Sequence, residues 1–213
     1  MVSHTAAELA STVRISSSVN ALNAISEPGV SAAIWHRTPT AGFQTWIDQL
    51  APGQLPALRI VTPPERVRDV VEMACDAANT PDCAERNQFI SDVVELSKLF
   101  NAVMKAPYLR VRLDVVDNNA CRKFHIDHVV ARLICTFRGH STQYGLREET
   151  GDPKIVHEAP LGSPIFLRGE RWPNDVRSKI VHRSPPIAGT GETRLVLVFD
   201  AMEKPQDHVG MVA

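Results

Sequence analysis

The spacing of apolar residues changes near residue 107, and this change limits the folds open to the chain. Before that point, apolar side chains recur every three or four residues, which predicts an amphipathic helix from about Ala84 that Pro107 ends. The apolar stripe of this helix consists of Phe89, Val93, Leu96, Phe100 and Val103. From Tyr108 onward, apolar residues alternate with charged ones, which predicts a strand with one buried face. The alternating apolar residues are Leu109, Val111, Leu113 and Val115. The first half of the chain is therefore predicted to be helical and the second half to be rich in strands.

Further β-type runs follow, separated by clusters of turn-forming residues. The runs lie at 129–138, 165–168, 179–183 and 194–200, and the turn clusters at 151–153, 172–174 and 185–191. Short strands without alternating helices favour an antiparallel sandwich or barrel. An earlier helix is expected after Pro63 and Pro64, because proline is common in a first helical turn. The predicted fold is α+β, with N-terminal helices packed on one face of a barrel in the C-terminal half.

We interpret the whole chain, 1–213, as a single domain with four parts. Residues 1–28 are rich in Ala and Ser and are expected to form a helix that is free to be mobile. Residues 29–107 are expected to be a helical cover, 108–200 the β-barrel core and 201–213 a tail.

Composition argues against several classes of partner. The chain has 23 Lys and Arg against 24 Asp and Glu, giving a net charge of -1, and its basic residues are scattered. We therefore expect no nucleic-acid partner. The longest apolar runs are strand-sized, so no membrane role is expected.

Four unevenly spaced cysteines and no recognisable leader predict reduced thiols and a cytoplasmic location. The apolar helical stripes would serve a homodimer as well as a core, which leaves the oligomeric state open.

Three residues form the sharpest chemical pattern in the chain. His125 and Asp127 lie two apart in a β-type run, so their side chains share a face and can bind one metal ion. His182 lies 55 residues after Asp127 (182 − 127) on a later run, where a facing strand of the same barrel is expected. Two histidines and one carboxylate are the ligands of non-haem Fe(II) oxygenases, and they leave positions open for substrate and oxygen. Arg194 follows 12 residues later (194 − 182) at the start of the next strand, where a guanidinium could hold a carboxylate.

Other interpretations of this pattern remain open. Cys121 could supply a fourth ligand and close a tetrahedral zinc site, which would make the chain a zinc-handling protein without redox activity. The same side chains could instead form hydrogen bonds inside a metal-free, cupin-like binding module. Arg112 and Arg132, on polar strand faces, could contact an anionic substrate or Asp127, or form structural ion pairs. Surface or supporting positions are expected for His128, His140, His157 and His208.

The segments around these residues resemble a bacterial family known only as domain of unknown function 1826, DUF1826. The resemblance rests on residues 113–116, 121–127, 132–139 and 181–186, together with 34–37, and extends from about residue 25 to 200. After Gly139 the family usually continues Pro-Gly-Thr and an aromatic residue, whereas this chain has His140-Ser141-Thr142-Gln143-Tyr144, which suggests a different substrate.

The family resemblance implies no activity. The order of the motif is similar to that of the Fe(II)/2-oxoglutarate-dependent oxygenases, whose barrel is a double-stranded β-helix, also called a jelly roll. This similarity implies Fe(II) bound by His125, Asp127 and His182, and 2-oxoglutarate held by Arg194. It further implies oxidation of a small-molecule substrate. Zinc is the alternative metal.

Overall fold

A computed structural model describes residues 6–173 and 177–205, which form helices and mainly antiparallel sheets as predicted. The α-helices are α1 (Ala6–Thr12), α2 (Ala41–Gln49), α3 (Val67–Ala77) and α4 (Ala84–Met104). The strands are β1 (Val13–Ser16), β2 (Ala32–Trp35), β3 (Leu58–Thr62), β4 (Tyr108–Val116), β5 (Ala131–Arg138), β6 (Gln143–Leu146), β7 (His157–Glu158), β8 (Ile165–Arg168), β9 (Ile180–Arg183) and β10 (Arg194–Met202). Short 3₁₀ segments lie at Val19–Ser26, Pro52–Gln54 and Pro64–Arg66.

Both helices predicted in the first half are present. Helix α3 follows the turn that Pro64 opens, and the predicted apolar positions Val67, Val70, Val71 and Ala74 are buried. Helix α4 begins at Ala84 as predicted and ends at Met104, three residues before Pro107. Lys105 adopts a left-handed conformation there (φ 49°) and donates its N–H to Asn101 O, which closes the last turn. None of the helices described is long and apolar enough to cross a membrane.

Seven strands form a large sheet in the order β1-β2-β8-β5-β10-β4-β3. All neighbouring pairs are antiparallel except β1 and β2, which run parallel. The two longest strands, β4 and β10, pair over nine residues each, so the predicted alternating strand lies next to the last strand of the barrel. A β-bulge on the β5–β10 ladder, between Leu195 and Val196, changes which face the end of β5 presents.

The segment predicted as a helical cover, 29–107, contains strands as well as helices. This segment contributes β2 and β3 to the large sheet, and residues 1–28 contribute β1. These strands are four or five residues long, too short to establish a period of two, and they are held by pairing with the longer strands. Of the predicted N-terminal helix, Ala6–Thr12 is helical and 1–5 lies outside the described residues. Most of the predicted tail, 206–213, also lies outside them.

The two faces of the large sheet bury different cores. Helices α2, α3 and α4 pack on the outer face, where Phe100 contacts Phe166 and Phe199 with ring centroids 5.0 and 6.1 Å away. The inner face packs against a second sheet, β7-β6-β9, around a smaller apolar cluster that includes Ile134, Val198 and other residues. His125 extends this second sheet, because it forms an isolated antiparallel bridge with His182 on β9. The predicted site therefore lies at the β9 edge of the second sheet.

Candidate metal centre

The three metal ligands predicted from the sequence lie close together in the structure. They are His125, Asp127 and His182. One ligand atom from each lies within 4.8 Å of the other two. His125 Nε2 is 3.4 Å from Asp127 Oδ1, and His182 Nε2 is 3.1 Å from Asp127 Oδ2. The two imidazole centroids are 4.6 Å apart.

Backbone pairing explains why the three side chains converge. His125 and His182 exchange both N–H···O bonds, each of 3.0 Å, so they form a hydrogen-bonded pair whose side chains project to one face. Asp127 lies two residues after His125 and returns to that face. His182 shares the inward face of β9 with Ile180, which belongs to the apolar cluster between the sheets. The three side chains thus share one face, beside the apolar cluster between the sheets.

A backbone contact fixes the orientation of the His125 ring. Its Nδ1 lies 2.9 Å from the Lys123 carbonyl oxygen. A carbonyl can only accept, so Nδ1 carries the hydrogen and the lone pair of the neutral ring is on Nε2. That nitrogen points towards Asp127. Histidines that bind metals through Nε2 commonly have their other nitrogen held in this way.

The two oxygens of Asp127 have different surroundings. Oδ1 accepts a very short hydrogen bond from Arg132. Oδ2 is buried and accepts no hydrogen bond from any described residue, although the His182 nitrogen is near. A buried carboxylate oxygen without a donor is costly. A metal ion between this oxygen and the two Nε2 atoms would satisfy it, so the residues present fit a divalent metal.

Arg132 is itself anchored by Asp200, which is 1% exposed. Its Nε and Nη2 donate to the two Asp200 oxygens at 2.7 and 2.9 Å, a bidentate arrangement. Of the alternatives left open for Arg132, the structure shows the contact with Asp127 and a structural ion pair with Asp200. Arg112, the other arginine considered for this role, lies near Asp114 instead, at 3.9 Å.

The surroundings of Asp127 and His182 favour the protonation states that bind metals, whereas contact with Asp127 favours the protonated form of His125 in the absence of a metal. Burial acts to raise the pKa of Asp127, but contacts with His125 and His182 and the Arg132 charge outweigh it, and the pKa is strongly lowered. Burial lowers the pKa of His182, which favours its neutral form. Contact with Asp127 raises the pKa of His125. An ionised carboxylate and a neutral imidazole are the forms that coordinate metals.

Arg194 begins β10, as predicted, and is 1% exposed. It lies on the inner face, since the next residue, Leu195, packs with the helices. Its Nε donates to His140 O at 2.6 Å and its Nη1 donates to Ser184 Oγ, two residues after His182. Within the described ranges no carboxylate lies within 4.0 Å of its guanidinium, and burial lowers its pKa. Arg194 is therefore a buried cation beside the strand that carries His182.

The family of the chain follows from its sequence. The model of the family described as "Protein of unknown function (DUF1826)" matches residues 16–200. The chain belongs to the DUF1826 family. No curated protein shows a significant sequence match to it.

Solved structures that resemble this DUF1826 protein include several oxygenases. A rice dioxygenase for auxin oxidation is 14% identical, with a TM-score of 0.50 and coverage of 83% of this chain and 74% of that one. Its Arabidopsis thaliana counterpart, solved with 2-oxoglutarate, is 10% identical, with a TM-score of 0.49 and coverage of 80% and 75%. An oxidoreductase of the 2OG-Fe(II) oxygenase family from Burkholderia pseudomallei is 12% identical, with a TM-score of 0.45 and coverage of 91% and 96%. At these identities only the similarity to the rice enzyme supports an argument, and that argument concerns the fold alone.

Cys121 is not part of the group of candidate ligands in this DUF1826 protein. It is exposed, and its thiol lies outside the cluster formed by His125, Asp127 and His182. Its contribution to the described site is structural, because its carbonyl oxygen accepts from Ser184 N at 2.9 Å. The zinc alternative therefore lacks the fourth protein ligand on which it depended.

The structure describes three of the four histidines that were expected at surface or supporting positions. His128 pairs with Glu170 at 3.0 Å, and His140 pairs with Glu192 at 2.6 Å. His157 stacks on Tyr144, while His208 lies outside the described residues.

Sequence reasoning missed two residues at the site. Thr136 lies on the inner face of β5, opposite Val196, and its hydroxyl is buried without a partner among the described residues. A polar residue at an inward position of an apolar strand was the available signal. Gly169 lies where a Cβ would be 2.0 Å from Val129 O and 2.9 Å from Asp127 O. Nothing in its local sequence indicates that close approach.

Proposed function

We propose that this protein is a non-haem Fe(II)-dependent oxygenase that uses 2-oxoglutarate to oxidise a small molecule. The observation that carries the proposal is the convergence of His125 Nε2, His182 Nε2 and Asp127 Oδ2, an oxygen that is buried and accepts no hydrogen bond from a described residue. Two imidazoles and one carboxylate on one face of a metal form the facial triad of such oxygenases. The similarity of fold to the rice dioxygenase is consistent with this assignment.

We also propose that the two facing sheets form a double-stranded β-helix. From β4 onward the chain passes between the sheets: β4, β5, β8 and β10 lie in the large sheet, and the His125 bridge, β6, β7 and β9 lie in the small one. Eight antiparallel segments divided in this way match the jelly-roll arrangement. The candidate ligands would then lie at one end of the barrel, on the segments nearest its opening.

The buried cation of Arg194 would hold the far carboxylate of 2-oxoglutarate. A guanidinium fork without a carboxylate partner suits this role. The unpartnered hydroxyl of Thr136 lies on the same inner face, one strand away, and would donate to the same group. Both groups are buried, which strengthens their attraction for an anion and excludes water.

His125, Asp127 and His182 would hold Fe(II). Bound iron, with 2-oxoglutarate and O₂, would supply the chemistry that oxidises a C–H bond. The protein's own contribution is to orient its ligands. Lys123 O fixes the tautomer of His125, and Arg132 occupies one oxygen of Asp127 so that the other is left for the metal.

The test is an anaerobic titration of the purified full-length protein with Fe(II) and then 2-oxoglutarate. We expect one equivalent of iron and a weak visible charge-transfer band that appears only when both are present. His125→Ala should abolish the band, whereas His128→Ala, an exposed histidine three residues further on, should retain it. Arg194→Gln should retain iron but require more 2-oxoglutarate. Tightly held zinc that iron does not replace, with no band, would reject the oxygenase in favour of a zinc-binding protein.

A further inference from the structure

Arg110 and Arg112 on β4 lie on the same face of the large sheet as the metal-centre residues. Their neighbours Leu109, Val111 and Leu113 all pack with the helices, so the two arginines face the other way. Arg110 lies opposite Asp200, which anchors Arg132, and Arg112 lies opposite Val198 of the inner apolar cluster. A row of four charged residues thus begins in the segment before β5 and crosses β5, β10 and β4. It consists of Asp127, Arg132, Asp200 and Arg110.

The hydrogen-bonding capacity of these two guanidinium groups is unused. Among the described residues neither forms a side-chain hydrogen bond, although each guanidinium has five N–H donors. Their nearest carboxylate contacts, Arg110 with Asp200 and Arg112 with Asp114, are both 3.9 Å, beyond hydrogen-bond distance. Asp200 already accepts two hydrogen bonds from Arg132.

Arg112 is the more informative of the pair. Its side chain is 20% exposed, yet its Nε is buried and has no partner among the described residues. Burial lowers its pKa, as does the neighbouring charge of Arg132. A cation held in these surroundings without a hydrogen-bonded carboxylate carries an unmet demand for an anion.

A second group of positively charged residues lies in the loop that leads to His125. A cavity of about 380 Å³ is lined by residues 120–123 and His125. Two of its lining side chains, Arg122 and Lys123, are exposed and form no ion pair with a described residue. Positive charge therefore flanks the candidate metal ligands from both β4 and this loop, a distribution that attracts anions.

We propose that the primary substrate carries a carboxylate or phosphate group and that Arg112, assisted by Arg110, binds it. This inference rests on the proposed function, since it names the substrate class of the same site. It assigns Arg112 a role separate from that of Arg194, which lies opposite Val116, four residues further along β4. Arg194 would hold 2-oxoglutarate while Arg112 holds the anionic group of the substrate, so that one site binds both molecules at once.

The test compares matched charged and neutral probes by ligand-observed NMR. Benzoate, hexanoate and phenyl phosphate are each paired with the uncharged benzamide, hexanamide and phenol. The full-length protein is used with Zn(II) and saturating 2-oxoglutarate, which occupy the metal and co-substrate positions, and again after treatment with a chelator. We expect one or more anions to bind in both conditions, and the neutral partners to bind roughly tenfold more weakly.

Substitutions test whether Arg112 is the residue that binds the anion. Arg112→Gln should weaken anion binding roughly tenfold or more, Arg112→Lys should restore part of it, and Arg110→Gln should have a smaller effect. Arg68→Gln, which removes the same charge from the exposed face of α3, is the control and should bind like the wild type. Circular dichroism and urea unfolding establish that each variant is folded.

Preference for the carboxylates or for the phosphate identifies which anion the site selects. Equal binding of charged and neutral probes, no binding by any anion, or unchanged binding in Arg112→Gln would each overturn the proposal. These outcomes are distinct from failure of the proposed function, which the iron and 2-oxoglutarate titration reports independently. An intact charge-transfer band with no anion preference would reject the substrate class alone.

Discussion

Asp127 illustrates how a single residue can be prepared for a metal by its neighbours. Arg132 occupies Oδ1 and is held in turn by both oxygens of Asp200, so the carboxylate of Asp127 has little freedom to rotate. The remaining oxygen faces two imidazole nitrogens and lacks a hydrogen-bond donor in the described part of the chain. Asp200 therefore supports the candidate site without contacting it.

Asp200→Asn should weaken both folding and metal binding. The substitution removes the buried carboxylate that holds Arg132 in a bidentate pair and leaves the guanidinium with Asp127 alone, which lowers the free energy of unfolding by about 3 kcal/mol. Loss of this support should reduce Co(II) affinity by roughly 10-fold to 100-fold, as for other residues that orient metal ligands. Urea unfolding and Co(II) titration measure the two effects.

Asp114→Asn is the matched control for Asp200→Asn. Asp114 lies on the same face of the large sheet, but its ion pairs are 3.6 and 3.9 Å long and partly exposed. We expect a change in the free energy of unfolding of less than about 1 kcal/mol and unchanged metal affinity. Equal effects of the two substitutions would show that Asp200 has no special role in positioning Arg132.

The ligand residues could be predicted from the sequence, whereas most of their supports could not. His125 and Asp127 show a period of two, and the distance to His182 fits a later strand, so residue types and spacing were sufficient. The position of Asp200 opposite Arg132 depends on the register of β5 and β10, and the two residues are 68 positions apart in the sequence. Register is determined by how both faces of a sheet pack, and a single local pattern does not contain that information.

At the level of elements, long periodic segments were predicted correctly and short ones were not. Helix α4 and strand β4 each extend over several periods, so their patterns identify them. Strands β1, β2 and β3 have four or five residues and are stabilised by the strands beside them. For such short segments, tertiary pairing decides the conformation.

The segment directly after β8, residues 169–171, has a structural role that its sequence does not predict. Residues 169–171 donate three backbone hydrogen bonds, from Gly169 to Val130 O, from Glu170 to Asp127 O and from Arg171 to Val129 O. Their lengths are 2.9, 2.9 and 3.0 Å. This segment fixes the backbone of the turn that carries Asp127, and glycine permits its close approach.

Gly169→Ala should displace that turn. The added Cβ would lie 2.0 Å from Val129 O, so the backbone must move, with a loss of about 1–3 kcal/mol in the free energy of unfolding. Because Asp127 moves with the turn, Co(II) affinity should also fall. Gly53→Ala, where a Cβ would meet nothing within 4 Å, is the control and should change neither quantity. Normal Co(II) affinity in Gly169→Ala would contradict the proposed dependence of Asp127 on this segment.

Considered as a whole, the molecule is organised around the large sheet, which has a separate apolar core on each face. The outer core, with the helices, is the larger, and it includes Phe43, Phe89 and Phe100 among its fully buried residues. The inner core is smaller. Near the candidate ligands, its apolar residues are replaced by the ion pair of Arg132 and Asp200. The helices thus provide a rigid support, and the metal would join the segment that precedes β5 to β9 of the small sheet.

A metal that joins these two segments should stabilise the folded protein. At a free metal concentration 100 times the Kd, binding adds about 2.7 kcal/mol to the free energy of unfolding. For a chain of 213 residues this corresponds to an increase in Tm of about 5–10 °C. Thermal unfolding with and without Co(II) measures the shift. His182→Ala should abolish the shift whatever its own Tm, whereas His128→Ala should retain it. An equal shift in His182→Ala would mean that Co(II) stabilises the protein from another place, and the role of this triad as its metal ligands would be rejected.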